Sequence, residues 1–257
     1  MDKIKIYSWN VNGLRAAIKK GFLEWIKSSQ GNIICIQEIK STVEQLPDEA
    51  VNIGKFNSYF FPAERKGYSG TAIYSEIKPI NVFYGFENPI YDVEGRVIIA
   101  EYEKFVLANV YFPNGGRGPE RVRYKLDFYN ELFFYLEKKF RDRKGIIVTG
   151  DFNTAHKEID VAKPEAWSKV SGFLPEERAW ITKILNLGYI DIFRKFHSEP
   201  GLYTFWDMRT HAREFNNGWR IDYFLVSDDI ADNVTAANIH ADVYGSDHCP
   251  ISIDLKI

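Results

Sequence analysis

Short apolar runs of strand length recur along the whole chain, several of them ending in an acid or an amide. This pattern constrains the fold more than any other feature. β-type runs occupy residues 3–9, 33–37, 58–62, 71–75, 80–84, 97–102, 105–111, 145–149, 220–226, 234–240 and 251–256, and their spacing suits strands rather than helices. None approaches the ~20 apolar residues that a membrane helix needs. The start at Met1, Asp2, Lys3 and Ile4 leads straight into a strand-like alternation, so no signal or transit peptide is expected. A chain of 257 residues, 45% hydrophobic and 16% aromatic, can bury a large core and is not a disordered polymer.

Three segments carry a helical period instead. After Pro119, the residues Val122, Leu126, Tyr129, Phe133, Leu136 and Phe140 recur at steps of three and four. Arg121, Arg123, Lys125, Glu131 and Lys138 are assigned to the other faces. Pro175, Glu176 and Glu177 open a second helix with Trp180, Ile181, Ile184 and Leu185 as its stripe and Gly188 as its cap. A third begins near Asn12 and runs through Leu14, Ile18, Phe22 and Trp25, weakened at Gly21. Many strands with few amphipathic helices imply two stacked sheets with helices outside. Without a repeat or linker, one domain over residues 1–257 is expected. Cys35 and Cys249 form no framework and read as buried reduced thiols of a cytoplasmic protein.

The net charge of −2 gives no hint of a polyanionic partner, yet such a sum can hide a basic face opposite an acidic pocket. Placement decides. Asn10, Asn12, Glu38, Asp151, Asn153, Asp222 and Asp247 stand at strand ends or beside apolar strands, where propensity disfavours them. Each alone reads as a turn, cap or surface residue; the repeated coincidence points to a site. The set offers hard oxygen ligands, and no His or Cys spacing suits zinc. Mg²⁺ takes one or two carboxylates, waters and phosphate oxygens, a pattern that Glu38 and its neighbours fit. Such a site polarises a phosphoryl oxygen and stabilises a leaving alkoxide. His248 adjoins the acids, and an Asp accepting from one ring nitrogen would favour its imidazolium. His156, His197, His211 and His240 read as surface or structural.

The ordered runs Trp9-Asn10-Val11-Asn12-Gly13-Leu14-Arg15, Gln37-Glu38-Ile39-Lys40, Gly67-Tyr68-Ser69-Gly70, Tyr111-Phe112-Pro113-Asn114, Gly150-Asp151-Phe152-Asn153, Gly218-Trp219-Arg220-Ile221-Asp222-Tyr223-Phe224 and Gly245-Ser246-Asp247-His248-Cys249-Pro250 resemble those of exodeoxyribonuclease III-type apurinic/apyrimidinic endonucleases, over about residues 4–257. The segment around Trp219 is the most discriminating. The resemblance implies a four-layer α/β sandwich, two packed mixed β-sheets flanked by helices. It implies a monomer and Mg²⁺-dependent cleavage of duplex DNA 5′ to abasic sites, leaving a 3′-hydroxyl and a 5′-deoxyribose phosphate. Mn²⁺ would substitute. 3′→5′ exonuclease, 3′-end trimming and incision at damaged nucleotides belong to the same range.

By matching motif positions, Glu38 would bind the metal with Asn10 and Asp247 near it, and with Asp151 and Asn153 alongside. Asp151 would orient or deprotonate the attacking water, held by Asn153. Tyr111, Asn114 and His248 would grip the scissile phosphate, with Asp222 behind His248. The identity of the base stays open, with Asp151 the leading candidate because a carboxylate at a strand end can reach a water in line with the phosphorus. Asn12 stands where some relatives carry an aspartate, which weakens the case for a second tight metal.

DNA contacts form a separate set. Aromatics and cations interleave in Tyr203, Thr204, Phe205 and Trp206 and on through Arg209, Arg213, Trp219 and Arg220, the residue types that hold an unstacked sugar and its phosphates. Trp206 reads as core. The resemblance puts Phe205, Trp219 and Ile221 around the extruded abasic deoxyribose, and Arg117 and Arg209 in loops entering the helix. Arg209 replaces an apolar wedge found in some relatives. Arg15, Lys20, Lys40, Arg65, Lys66, Tyr68, Arg96 and Arg121 are candidates for the backbone track. Two other readings stay open: a phosphatase or sphingomyelinase-like enzyme on a small headgroup, and a binding module without turnover. The loop arginines and Trp219 speak against the former, the complete acid and amide set against the latter.

Overall fold

A computed structural model of the protein describes residues 3–256. Met1 and Asp2, on which part of the expectation for the chain start falls, lie outside the described residues. The strands are β1 (Lys3–Asn10), β2 (Ile33–Gln37), β3 (Asn57–Phe61), β4 (Thr71–Ser75), β5 (Asn81–Tyr84), β6 (Val97–Glu101), β7 (Phe105–Tyr111), β8 (Gly145–Asp151), β9 (Tyr189–Asp191), β10 (Asp222–Ser227), β11 (Val234–Ile239) and β12 (Ile251–Lys256). They form two six-stranded sheets, in the orders β11-β12-β1-β2-β4-β3 and β5-β6-β7-β8-β10-β9. Each sheet is mixed, with one central parallel pair, β1 with β2 and β7 with β8, among antiparallel neighbours.

Alternation along each strand builds the layers. Ile33 and Cys35 join Ile6, Ile73 and Ile253 against Ile98, Leu107, Ile147 and Phe224 between the sheets. Ile34 and Ile36 point the other way, onto the helices Leu14–Ile18 and Phe22–Ser28 through Leu14, Phe22 and Ile26. The outer face of the second sheet packs Ile146 and Val148 on Phe128, Leu132 and Ile181, from the helices Pro119–Phe140 and Pro175–Asn186. Burial on both faces is why β2 reads as an unbroken apolar run. Truncating one of these isoleucines or leucines to alanine costs about 2–5 kcal/mol.

Among the polar side chains that cross between the sheets, those of Gln37 and Asn109 lie beside the site. Gln37 donates to Ser8 Oγ at 3.0 Å and to Asn109 Oδ1 at 2.8 Å, and Asn109 donates to the Ile36 and Ala72 carbonyls. These directional bonds set the register of one sheet on the other beside the site. At Gly150, φ is +137° and a Cβ would lie 1.9 Å from the Val110 carbonyl, so only glycine lets β8 press against β7 before Asp151.

Several expectations change. The helix from Asn12 breaks at Gly21, whose φ of 95° starts Phe22–Ser28 as a separate element. β5 begins after Ile80, which is 60% exposed. β10 begins at Asp222 because Arg220 is buried in ion pairs with Asp160 and Asp191. Arg220 is therefore unavailable to DNA. Lys125 was assigned to a polar face and is instead fully buried, paired with Glu177 at 2.6 Å. No helix among the described residues is long and apolar enough to cross a membrane. Cys35 and Cys249 are free and buried.

Candidate active site

β1, β2 and β8 bring their C-terminal ends together, as parallel strands of α/β sheets do at ligand sites. The side-chain amide of Asn10 donates to Glu38 Oε1 and to Asp151 Oδ2, both at 2.8 Å. Asp151 Oδ1 accepts the Asn153 backbone N–H at 2.8 Å. Asn153 Nδ2 donates to the Phe112 carbonyl at 2.9 Å and approaches Asp151 Oδ2 at 3.3 Å, while Asn153 Oδ1 accepts from Asn114 at 3.0 Å. Asp222 faces Asp151 across the β8–β10 ladder. Its Oδ2 accepts from Thr204 at 2.6 Å and sits 2.8 Å from His248 Nδ1. The other ring nitrogen, Nε2, lies 3.7 Å from Asp151 Oδ2. Glu38, Asp151 and His248 thus meet in one cluster of side chains.

The backbone bends to make this possible. Asn12, Glu38, Lys40 and Asn153 all hold φ between +46° and +55°, in the left-handed region that non-glycine residues avoid. Each costs about 1–3 kcal/mol and survives where its surroundings fix it. At Asn12 the fixing bonds are Asn10 Oδ1, which accepts from the Asn12 N–H at 2.9 Å, and Asp247 Oδ1, which accepts from Asn12 Nδ2 at 3.0 Å. The loop carrying His248 is held by Trp9 Nε1 on the His248 carbonyl and Ser246 Oγ on the Asn10 carbonyl.

Electrostatics follow from burial and neighbours. Burial disfavours the His248 imidazolium, but Asp222 and Asp151 outweigh it and raise the group well above its ordinary value. Burial pushes the Asp151 carboxyl up, with Asp222 and Glu38 adding and His248 opposing. Glu38 moves the other way: burial would raise it, yet Lys40 and the Asn10 amide hold it low. Burial and the charge of Glu38 keep the Tyr111 phenol protonated.

The oxygens around Glu38 fit a hard divalent cation. The Lys40 ammonium already stands among them, 2.6 Å from Glu38 Oε2 and 2.5 Å from Asn12 Oδ1, where a cation would gather the same donors. Asp247 reaches this group through Asn12. Asp151, Asp222 and His248 also lie within 4.8 Å of one another.

Phe205, Trp219 and Ile221 meet with Ala155, Val161 and Phe173 in an apolar cluster beside His248, whose ring is 4.9 Å from Phe205. Trp206 is buried, as expected. A cleft of about 670 Å³ leads away from Tyr111 and Asn114, lined by Arg65, Tyr68, Arg117 and Arg121 among others. Arg15, Lys20, Arg65, Lys66, Arg117 and Arg209 are exposed, and Arg209 rests on Asp207 at 3.0 Å.

Three further cations, besides Arg220 and Lys125, differ from the sequence reading. Arg96, at the floor of the cleft, is buried and bonded to Glu94, the Tyr68 hydroxyl and the Tyr111 carbonyl. Lys40 is committed to Glu38. Arg213 lies between the rings of Trp206 and Tyr244 and donates to the carbonyls of Ala241 and Val243.

Sequence reasoning missed three residues. Thr204 bonds Asp222. Trp167 stacks on Trp219 with ring centroids 4.5 Å apart. Lys125 donates to the Asn153 carbonyl at 2.7 Å. Only Lys125 left a signal, a cation three residues after Val122 and four before Tyr129, inside the apolar stripe.

The endonuclease/exonuclease/phosphatase family matches residues 7–248, and the chain belongs to it. Within that family it is a DNA-repair nuclease of the exodeoxyribonuclease and AP endonuclease group. It is 40% identical over 259 residues to an exodeoxyribonuclease of Bacillus subtilis, covering 99% of this chain and 100% of that one. Identity to the DNA repair nuclease APEX1 of Danio rerio is 39% over 257 residues, covering 99% of this chain and 83% of the relative. An AP endonuclease from Archaeoglobus fulgidus superposes with a TM-score of 0.89 at 30% identity, covering 99% and 100% of the two chains. A 3′ phosphatase, NExo, from Neisseria, solved bound to a product DNA hairpin, gives a TM-score of 0.90 at 27% identity, covering 99% and 100%.

Proposed function

We propose that this single-domain, monomeric cytoplasmic protein cleaves the phosphodiester 5′ to abasic sites in duplex DNA with Mg²⁺, leaving a 3′-hydroxyl and a 5′-deoxyribose phosphate. The observation that carries the reading is the Asn10 amide shared by Glu38 and Asp151, which keeps a cation-holding carboxylate and a candidate base side by side. Glu38 would hold the ion, with Asn10 and Asp247 beside it. A divalent ion bound there, Mg²⁺ or Mn²⁺, supplies Lewis-acid polarisation of the phosphate and charge for the departing oxygen.

The chain's own groups do the rest. Asp151, made more basic by burial, takes the proton of the attacking water, and Asn153 orients that water. His248, charged through Asp222, donates from Nε2 to a phosphate oxygen. The Tyr111 phenol and the Asn114 amide hold the same phosphate, and Phe205, Trp219 and Ile221 enclose the bare sugar. Arg117 and Arg209 enter the duplex, and the exposed cations along the cleft follow its backbone. The Neisseria relative's name supports 3′-end processing as a companion activity, and the stacked Trp167 and Trp219 offer a surface for damaged nucleotides.

A duplex carrying one tetrahydrofuran abasic analogue tests this. Incision is expected with Mg²⁺ and lost with chelator or in Asp151→Asn. Stoichiometric DNA binding with no product under any divalent ion, or headgroup phosphate release without DNA incision, would overturn it.

A further inference from the structure

Lys125 and Glu177 are both without exposed side-chain surface, and their charged ends meet at 2.6 Å. Lys125 comes from the long helix Pro119–Phe140 and Glu177 from the first turn of Pro175–Asn186. Glu177 accepts four donors: Lys125 Nζ and Ser171 Oγ on one oxygen, the Gly172 and Leu174 backbone N–H groups on the other. Lys125 also donates to the carbonyl of Asn153, a residue held at φ +51°. Gly172 closes the circuit: a Cβ there would lie 3.2 Å from the Asn153 carbonyl and 3.4 Å from the Trp219 ring.

A buried ion pair is a poor way to gain stability, since a well-packed apolar pair of similar volume often does as well or better. Stability therefore leaves this pair unexplained, whereas its bonds all end on the loop after β8 and the turn against Trp219. We infer that Lys125 and Glu177 are a positioning pair, which aims the Asn153 side chain at Asp151 while holding the Gly172 turn against the sugar-pocket wall. One charge pair then fixes two parts of the site together, the water-orienting amide and the ring that receives the sugar. Neither residue touches substrate; both act through Asn153 and Trp219. The inference rests on the proposed role of Asn153 at the scissile phosphate.

The test compares Lys125→Met, Glu177→Gln and the double variant Lys125→Met/Glu177→Gln, which keeps an acceptor for the Gly172 and Leu174 N–H groups, with the wild-type protein, using the abasic duplex and Mg²⁺. Each single variant strands a buried partner and should melt lower. The double variant should recover most of the melting temperature, yet cleave about 100-fold more slowly in single turnover, with duplex affinity little changed. A double variant that recovers both stability and the wild-type rate overturns the inference, because a purely structural pair would behave that way.

If the double variant does not fold, amide exchange in Glu177→Gln decides. Faster exchange confined to Asn153, Gly172 and their neighbours supports the inference; unchanged exchange there with an unchanged rate rejects it. Loss of Mg²⁺-dependent incision in the wild type would sink the proposed function itself. Wild-type incision with a fully active double variant would sink only the positioning role.

Discussion

The side-chain amide of Asn10 lies 2.8 Å from Asp151 Oδ2, so the last residue of β1 in one sheet bonds the last residue of β8 in the other. The same nitrogen serves Glu38. A neutral donor between two carboxylates lowers their repulsion and fixes their spacing. Asn10→Asp puts a third acid there, whereas Asn10→Ala only removes the donor. The aspartate variant is expected to lose more incision, by an order of magnitude or more beyond the alanine variant, as like charges at contact distance predict. Single-turnover rates over a range of Mg²⁺ concentrations check this, and equal losses would reject the like-charge account.

Asp222 is the foremost of the charges that raise His248 against burial. In Asp222→Asn the imidazole should therefore lose its proton at lower pH than in the wild type. NMR titration of the His248 ring measures this directly. An unmoved titration would show that Asp222 orients the ring without charging it.

Arg117 and Arg96 should fail in different ways. If the exposed Arg117 meets DNA as proposed, Arg117→Ala should flatten the salt dependence of duplex binding by about one unit of slope, with little change in the cleavage step. Arg96→Ala leaves Glu94 without its buried partner, 2.5 Å away, and should cost about 3–5 kcal/mol of stability. Salt titrations and thermal melts distinguish the two, and a large drop in the Arg117→Ala single-turnover rate would contradict the assignment.

Acid stability should report on Asp160. Burial would raise its carboxyl, but Arg220 and Arg194 overrule it and take it down to about 2. A depressed carboxyl contributes its stability above the unfolded value and loses it as pH falls toward the folded one. About 2 kcal/mol should therefore disappear between about pH 4 and pH 2. Denaturant midpoints should fall over that window in the wild type and stay flatter in Asp160→Asn, which starts lower; parallel curves would refute the account.

Strands and layers were legible because their apolar alternation is local. Ile33 to Ile36 announce a strand buried on both faces, and Pro119 to Phe140 announce their helix. The three-residue β9 is too short to leave a period. The acids and amides of the site were legible because Glu38 and Asp151 break the propensity rules where they stand. Burial of cations was not, because a Lys or Arg defaults to solvent unless a distant partner claims it. Arg96, Lys125 and Arg220 have such partners in Glu94, Glu177 and the Asp160–Asp191 pair, and only for Lys125 did the helical phase betray it. Trp167 meets Trp219 from 52 residues away, a pairing no local pattern encodes.

The second sheet is a continuous stretch of chain from β5 to β10, while the first is assembled from what precedes and follows it. Asn10, Glu38, Asp247 and His248 thus arrive from the two outer segments, and Tyr111, Asp151, Asn153 and Asp222 from the middle one. The isoleucines and leucines packed between the sheets act as a gauge block whose thickness sets the gap across which the two groups of residues face each other. Leu107 or Ile147, remote from the acids and amides of the site, belongs to that gauge, and a change of volume there should appear in turnover as well as in stability.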